Sequence, residues 1–337
     1  FLAWCGIAQG QRLAMDGLSQ GRESTAFSHE KTALKRICSH VMHVAGQKDM
    51  RFPHSAILHN ICAPIERHML HVVSDNLHSQ DASSDGASLR ATPEQLERSF
   101  HDGKPLVTFV VPCYNSEEYL PRCVDSLLST EYPCEILLIN DGSSDGTSAL
   151  IHQYADANPQ VKAIDQQNAN WGGVVNHGLE LAQGIYFKIV DSDDYLDSEA
   201  LHQVLRTLAL CVEADEAPDL LVTNYVYDRI TDNSKHTIHY RKLFPAGRVF
   251  TWGEMGKKPG IDQFIMVHAS WYRTDVLRES KLHLPEGVSY MDSLFVLHPM
   301  QYVNTLYYLD VDTYHYIIGR EGQSVEIDVV KRCIDQQ

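Results

Sequence analysis

The chain has no apolar run approaching the ~18 residues that a membrane-spanning helix needs. It has no excess of basic residues either, since 28 Lys and Arg stand against 44 Asp and Glu, a formal net charge of -16. A nucleic-acid binder would carry a basic footprint, and none is present. An anionic substrate is not excluded, because a metal and a few cations can hold phosphates locally. The eight cysteines include no CxxC pair. Their scatter predicts reduced, cytoplasmic thiols rather than a disulfide framework. Internal repeats and low-complexity arrays are missing too. The opening Phe1-Leu2-Ala3-Trp4-Cys5 lacks the basic region and long apolar segment of a signal peptide. The absent initiator Met predicts a fragment, and the ending Arg332-Cys-Ile-Asp-Gln-Gln337 reads as a helix cut short, beyond which a membrane-associating tail would lie. What remains is a globular composition, 44% hydrophobic and 21% charged over 337 residues, enough for one large or two ordinary domains.

Residues 1–103 differ from the rest. They are rich in His and poor in strand-like runs. Segments 32–43 and 63–73 are predicted helices, 79–88 a flexible linker, and Thr92-Pro93-Glu94-Gln95 a helix start with Thr92 as N-cap. Cys38, His40, His43, His59, Cys62, His68 and His71 satisfy no standard zinc spacing, so exposed histidines on helices are the reading here.

From Pro105 the pattern becomes regular. Strands are expected at 106–111, 136–139, 161–164 and 185–190, and helices at 117–129, 147–157 and 173–182. This alternation predicts βαβ units and a largely parallel sheet, in which ligands bind at the carboxyl ends of strands. The polar clusters fall at those ends: Tyr114-Asn115, then Asn140-Asp141-Gly142-Ser143, then Asp191-Ser192-Asp193-Asp194. Further on, 225–250 reads as a hairpin with Asp232-Asn233 near its turn. Residues 274–280 read as a short helix, 291–302 as a helix bent by Pro299, and 305–309 as a strand.

The acidic run supports two readings. Three carboxylates within four residues repel one another, and a divalent cation with a taste for oxygen, Mg²⁺ or Mn²⁺, would relieve them. Alternatively the run is a solvated turn leading into a helix capped by Ser198. The segment Asp141-Gly-Ser-Ser-Asp-Gly146 imitates the start of an EF-hand loop, but the twelfth position is His152 where Glu is needed. The other reading is a strand-to-helix turn whose carboxylate contacts a base or ribose.

Three segments in order, Val110-Val-Pro-Cys-Tyr-Asn115, Ile139-Asn-Asp-Gly-Ser-Ser-Asp-Gly146 and Gly184-Ile-Tyr-Phe-Lys-Ile-Val-Asp-Ser-Asp-Asp194, resemble the signatures of bacterial family 2 glycosyltransferases with the GT-A fold. The likeness runs from about Pro105 onward, and the block 316–325 resembles one in members that build surface polysaccharides. It implies an α/β domain with a nucleotide-sugar half at 104–225 and an acceptor-binding, catalytic half at 226–337. It implies inverting, metal-dependent transfer of a hexose or N-acetylhexosamine from a UDP-linked donor to a surface glycan or lipid-linked acceptor, in the cytoplasm or at the inner face of the membrane.

By the same resemblance Pro112, Tyr114, Asn115 and Glu117 line the nucleotide pocket, Tyr114 against the base. Asp141 accepts from the uracil imide with Ser143 beside it. Asn168, Gly172, Gly173 and Asn176 belong to a Gly-rich segment near base and ribose, in which the family's frequent Arg is Val175 here. Asp191 and Ser192 face the ribose, Asp193 and Asp191 hold the metal, and Asp194 supports them. The family's Glu-Asp pair is Met291-Asp292, which leaves Asp292 as the general base. Its other reading is a helix N-terminal acid stabilised by the macrodipole. Arg320, with Gln323 and Ser324, would brace the diphosphate or acceptor. His268 is a pocket residue or a core histidine, and Trp171, Trp252 and Trp271 either stack on sugar or sit in the core, the core being the better reading for any one of them. Two rival classes stay open: a nucleotidyltransferase or phosphohydrolase, and a non-catalytic nucleotide-sugar binder, the latter motivated by Met291.

Overall fold

The structure, a computed structural model, describes residues 103–255, 264–288 and 291–320. The expectations for 1–102 (helices, linker, helix start and Cys/His group) and for Gln323 and Ser324 lie outside the described residues.

Strand β1 (Val107–Cys113) leads to helix α1 (Leu120–Leu128), β2 (Cys134–Asp141), α2 (Thr147–Ala157), β3 (Val161–Gln166), α3 (Asn170–Leu181) and β4 (Tyr186–Ile189). The register is parallel throughout: β1 pairs with β2 on one side and β4 on the other, and β3 lies outside β2. β2 and β4 are buried at every residue, as expected for strands covered on both faces. β2 and β3 lie on one side of β1 and β4 on the other, so the strand order reverses between β1 and β4, the place where ligands bind beyond the carboxyl ends of strands in open α/β sheets.

The rest of the chain extends this sheet. It comprises β5 (Tyr195–Leu196), α4 (Ser198–Glu213), β6 (Leu220–Arg229), β7 (Ser234–Ile238), β8 (Val249–Phe250), β9 (Ser270–Arg273), α5 (Thr274–Glu279), α6 (Asp292–Leu297) and β10 (Leu306–Ile318). The strand order is β3-β2-β1-β4-β9-β6-β10-β5, with β7 on β6 and β8 on β10. β9 is antiparallel to both β4 and β6, and β10 runs parallel to β6. β6 passes through residue 225, so both proposed halves share one sheet.

Several elements depart from expectation. α1 starts at Leu120 rather than 117, because Glu117 is engaged by the next loop: its side chain accepts from Gly146 N (2.9 Å) and its backbone N–H donates to Asp145 Oδ2 (3.2 Å). The cap of α4 is Asp197, not Ser198; its carboxylate accepts from Ala200 N at 2.9 Å. The hairpin is shorter than 225–250, with Asn233 at φ 53 in its turn. β10 continues to Ile318 across two register shifts at Asp310–Tyr314, whose acids hide its strand pattern. The bend at Pro299 is present, as α6 gives way to a 3-10 turn, Pro299–Tyr302. No helix among the described residues is long and apolar enough to cross a membrane.

Candidate active site

The loops after β1 and β2 are laced together. Asn115 takes a left-handed backbone (φ 48), which lets its N–H donate to Ser143 Oγ (2.9 Å) while its side-chain oxygen accepts from Ser144 N (2.8 Å). Ser116 N donates to Thr147 Oγ1, and Ser116 Oγ lies 2.7 Å from Ser192 Oγ, which ties this loop to the acidic turn. Tyr114, a large ring, is left 57% exposed. Pro112, one residue before the end of β1, is half-buried.

Asp141 ends β2 buried. One of its carboxylate oxygens accepts from Ala169 N (2.9 Å) and Gln166 Nε2 (2.8 Å), and Asn168 Nδ2 donates to its carbonyl. The loop before α3 is thus pinned to Asp141.

The acidic turn follows β4. Trp171 Nε1 donates to Asp191 Oδ1 at 3.0 Å, and Asp191 N to Tyr314 Oη at 3.1 Å. Burial, then the charges of Asp193 and Asp292, push the Asp191 carboxyl up to about 7. Asp194 is fully buried, and both its oxygens are engaged, one by Tyr314 Oη (2.7 Å) and the other by Ile317 N (2.8 Å). Its pKa is raised well above the usual carboxylate range by burial and by Asp193 and Asp191. Asp193 pairs with Arg320 through Nε at 2.5 Å, and its carbonyl accepts from Arg122 Nη2.

Beneath the turn Lys188 is buried on β4, its ammonium donating to the carbonyls of Val267, His268 and Ser270. These three acceptors bend the 267–270 segment and set His268 under the carboxylates. His268 stacks on Tyr316 (centroids 4.6 Å apart), and its Nδ1 is buried without a hydrogen-bond partner. Burial and then the Lys188 charge lower its pKa to about 3, so the ring is neutral.

Asp292 is the first residue of α6, and burial raises its pKa. Phe295 on the same helix meets Trp171 edge-on at 6.2 Å, which links Asp292's helix to the side chain that holds Asp191. The approach to α6 is fixed by α3. Asn176 is bonded at both ends of its amide to the main chain of Leu284 (2.9 and 2.8 Å), and Gly287 N donates to Ala169 O. A Cβ on Gly172 would lie 2.6 Å from Pro285 O. Gly173 is likewise buried, facing Ala169 and Glu286.

The structure therefore joins Asn115 to Ser143 and, through Ser116, the β1 loop to Ser192, and it sets Arg320 on Asp193, while the charges of Asp193 and Asp292 act on Asp191. Asp141 and Asn168 form the floor of the second loop. Glu117 is spent on Gly146. Gly172, Gly173 and Asn176 face the 284–287 segment, and His268 is buried below the acids. Tyr314, Lys188 and Arg122 were not expected here, nor was the bond from Trp171 to Asp191. Trp171 stands in the quoted Gly-rich segment, but no spacing rule joins it to Asp191; Tyr314 lies in the part of β10 that its acids conceal.

The donors suit a hard cation. Asp191, Asp194 and His268 bring ligand-type atoms within 4.8 Å of one another. Asp194 accepts two hydrogen bonds, Asp191 accepts one from Trp171, and Asp193 is paired with Arg320. Burial and the neighbouring carboxylates, which raise the Asp191 pKa, are costs that a divalent cation would relieve.

A sequence profile described as glycosyl transferase family 2 matches residues 108–280. A putative glycosyltransferase of Bacillus subtilis, EpsH, is 28% identical over 64% of this chain and 61% of its own length. The chondroitin synthase of Escherichia coli is 30% identical over 45% of this chain and 24% of its own length. The chain spans about three fifths of the length of EpsH. The crystal structure of S. aureus TarS 1-349 in complex with UDP-GlcNAc superposes with a TM-score of 0.50 at 21% identity, over 67% of this chain and 63% of that one, a likeness of fold.

Proposed function

The chain belongs to glycosyl transferase family 2 and has the GT-A fold, and from that premise we propose that it transfers a hexose or N-acetylhexosamine from a UDP-linked donor to a glycan acceptor, with inversion. The observation that carries this is the acidic turn after β4, bonded through Ser192 to the β1 loop that carries the exposed Tyr114 ring. Tyr114 offers a face for the base, and Asp141 an acceptor for the uracil imide N–H. Asp191 and Asp193 would hold Mg²⁺ or Mn²⁺, which when bound supplies positive charge to the leaving diphosphate. Arg320 adds a guanidinium on the same side.

Asp292 takes the proton from the acceptor hydroxyl as that oxygen attacks the anomeric carbon. A carboxylate whose pKa burial has raised is a better base for this step than a solvated one. One carboxylate suffices for a single displacement, so Met291 in place of a Glu does not remove the chemistry. The acceptor is proposed to be a surface polysaccharide or lipid-linked glycan; the likeness to a chondroitin synthase supports a polysaccharide. The reaction is placed on the cytoplasmic side, consistent with the four free, buried cysteines among the described residues.

The test is UDP release by the full chain from a panel of UDP-sugars with glycan acceptors, for wild type and Asp292→Asn. The variant keeps UDP affinity within about threefold, while transfer falls by about 10² to 10⁴. Near-normal turnover would move the base elsewhere, Glu286 being the next carboxylate in sequence. Release of phosphate or pyrophosphate would favour a phosphohydrolase or nucleotidyltransferase. UDP binding without any turnover would favour a non-catalytic binder.

A further inference from the structure

β10 ends at Ile318, and Gly319 follows at φ +104, a left-handed backbone that a side chain would strain. A Cβ there would also come within 2.8 Å of Thr231 Cγ2. This turn sends Arg320 back over the acidic turn, where Nε reaches Asp193 Oδ2 and the guanidinium lies 5.1 Å from the Tyr119 ring centroid. The strand that delivers it is itself anchored on the neighbouring acid, through the bonds of Tyr314 and Ile317 to Asp194. Arg320 and Asp193 are both shielded, their side chains 27% and 13% exposed. Among the described residues, Arg320 is the only cation that bonds a side-chain carboxylate of the acidic turn.

We propose that Arg320 and a divalent cation compete for Asp193, so that the chain binds the metal weakly by itself and tightly together with a nucleoside diphosphate, whose phosphates draw Arg320 off the carboxylate. This rests on the reading of Asp191 and Asp193 as the cation's ligands. A guanidinium and a divalent ion on one carboxylate repel each other, and partial burial strengthens that repulsion. Diphosphate oxygens together carry more negative charge than one carboxylate and match the planar guanidinium fork as well as a carboxylate does. With Arg320 on the phosphates, the Asp193 carboxylate would be free to hold the cation. Arg320 is in this sense a positioning residue that acts through Asp193 and the diphosphate. Reciprocity follows: whatever factor UDP adds to metal affinity, the metal adds to UDP affinity.

The test is Mn²⁺ binding to the full chain, read from the electron-spin signal of unbound Mn²⁺, with UDP binding followed by calorimetry. In wild type, saturating UDP tightens Mn²⁺ binding at least about tenfold. Arg320→Gln binds Mn²⁺ without nucleotide about tenfold more tightly than wild type, and binds UDP in saturating Mn²⁺ more weakly. Arg320→Lys keeps the charge and stays within about twofold of wild type for Mn²⁺ alone. Asp193→Asn loses Mn²⁺ binding. A merely structural Arg320 would not tighten metal binding when removed. Unchanged or weaker Mn²⁺ binding in Arg320→Gln, or equal wild-type affinity with and without UDP, overturns the competition; if Asp193→Asn still loses Mn²⁺, the ligand reading stands. Mn²⁺ binding by Asp193→Asn as tight as wild type removes the ligand reading and the competition with it.

Discussion

Burial and the charges of Asp193 and Asp292 push the Asp191 carboxyl up to about 7, whereas an Asp in the unfolded chain loses its proton near pH 4. Between about pH 4 and pH 7 the folded chain therefore holds a proton that the unfolded chain has released, and folding loses stability as pH rises through that window. Asp191→Asn removes this cost and keeps an oxygen for Trp171 Nε1. In metal-free buffer its advantage over wild type is small near pH 4, grows towards pH 7 and levels off at roughly 2 to 4 kcal/mol above it. His268, depressed to about 3 by burial, runs the other way, with stability lost as pH falls below its unfolded value; both chains share it, so it drops out of the comparison. Urea unfolding at a series of pH values checks this, and a pH-independent difference would sink it. The four-residue acidic run was visible in the sequence. Its setting was not, because Trp171, Tyr314 and Lys188 reach it from residues distant in sequence or from the opposite face of a strand.

At the scale of elements, the alternation of strands and helices from Pro105 to Val190 was legible because each strand is a short apolar run bounded by turn residues. The later elements were less so. β10 carries Asp310 and Asp312 at its register shifts, which breaks the period on which a strand is recognised. The Gly-rich start of α3 was expected to lie near a nucleotide, and its geometry shows a packing need. Gly172 faces Pro285 O too closely for a methyl group. Gly172→Ala gains up to about 1 kcal/mol of helix propensity but incurs a clash of about 1 to 3 kcal/mol, so the folded chain loses stability on balance. The urea midpoint decides this, and a stabilised variant would mean that the 284–287 segment yields freely. The same displacement would shift the entry to α6, so transfer by Gly172→Ala falls more than UDP binding does.

Across the whole molecule the formal net charge is -16, while the proposed ligand is an anionic diphosphate. Long-range attraction cannot bring that ligand in, so its binding depends on local positive charge: Arg320 and a divalent ion at Asp191 and Asp193. Asp191 and Asp193 follow β4, where the strand order reverses beside β1; the βαβ pattern made the parallel sheet legible but not the order of its strands. The closing half of the sheet, with β9 antiparallel between β4 and β6, had no such pattern to announce it. The most direct measurement is the unfolding free energy of the full chain with UDP at a hundredfold excess over its Kd, in Mn²⁺ and again in EDTA. The account expects UDP to add about 2.7 kcal/mol in Mn²⁺ and, at the same UDP concentration, little in EDTA. An equal gain in EDTA would contradict a metal-bridged diphosphate at the acidic turn.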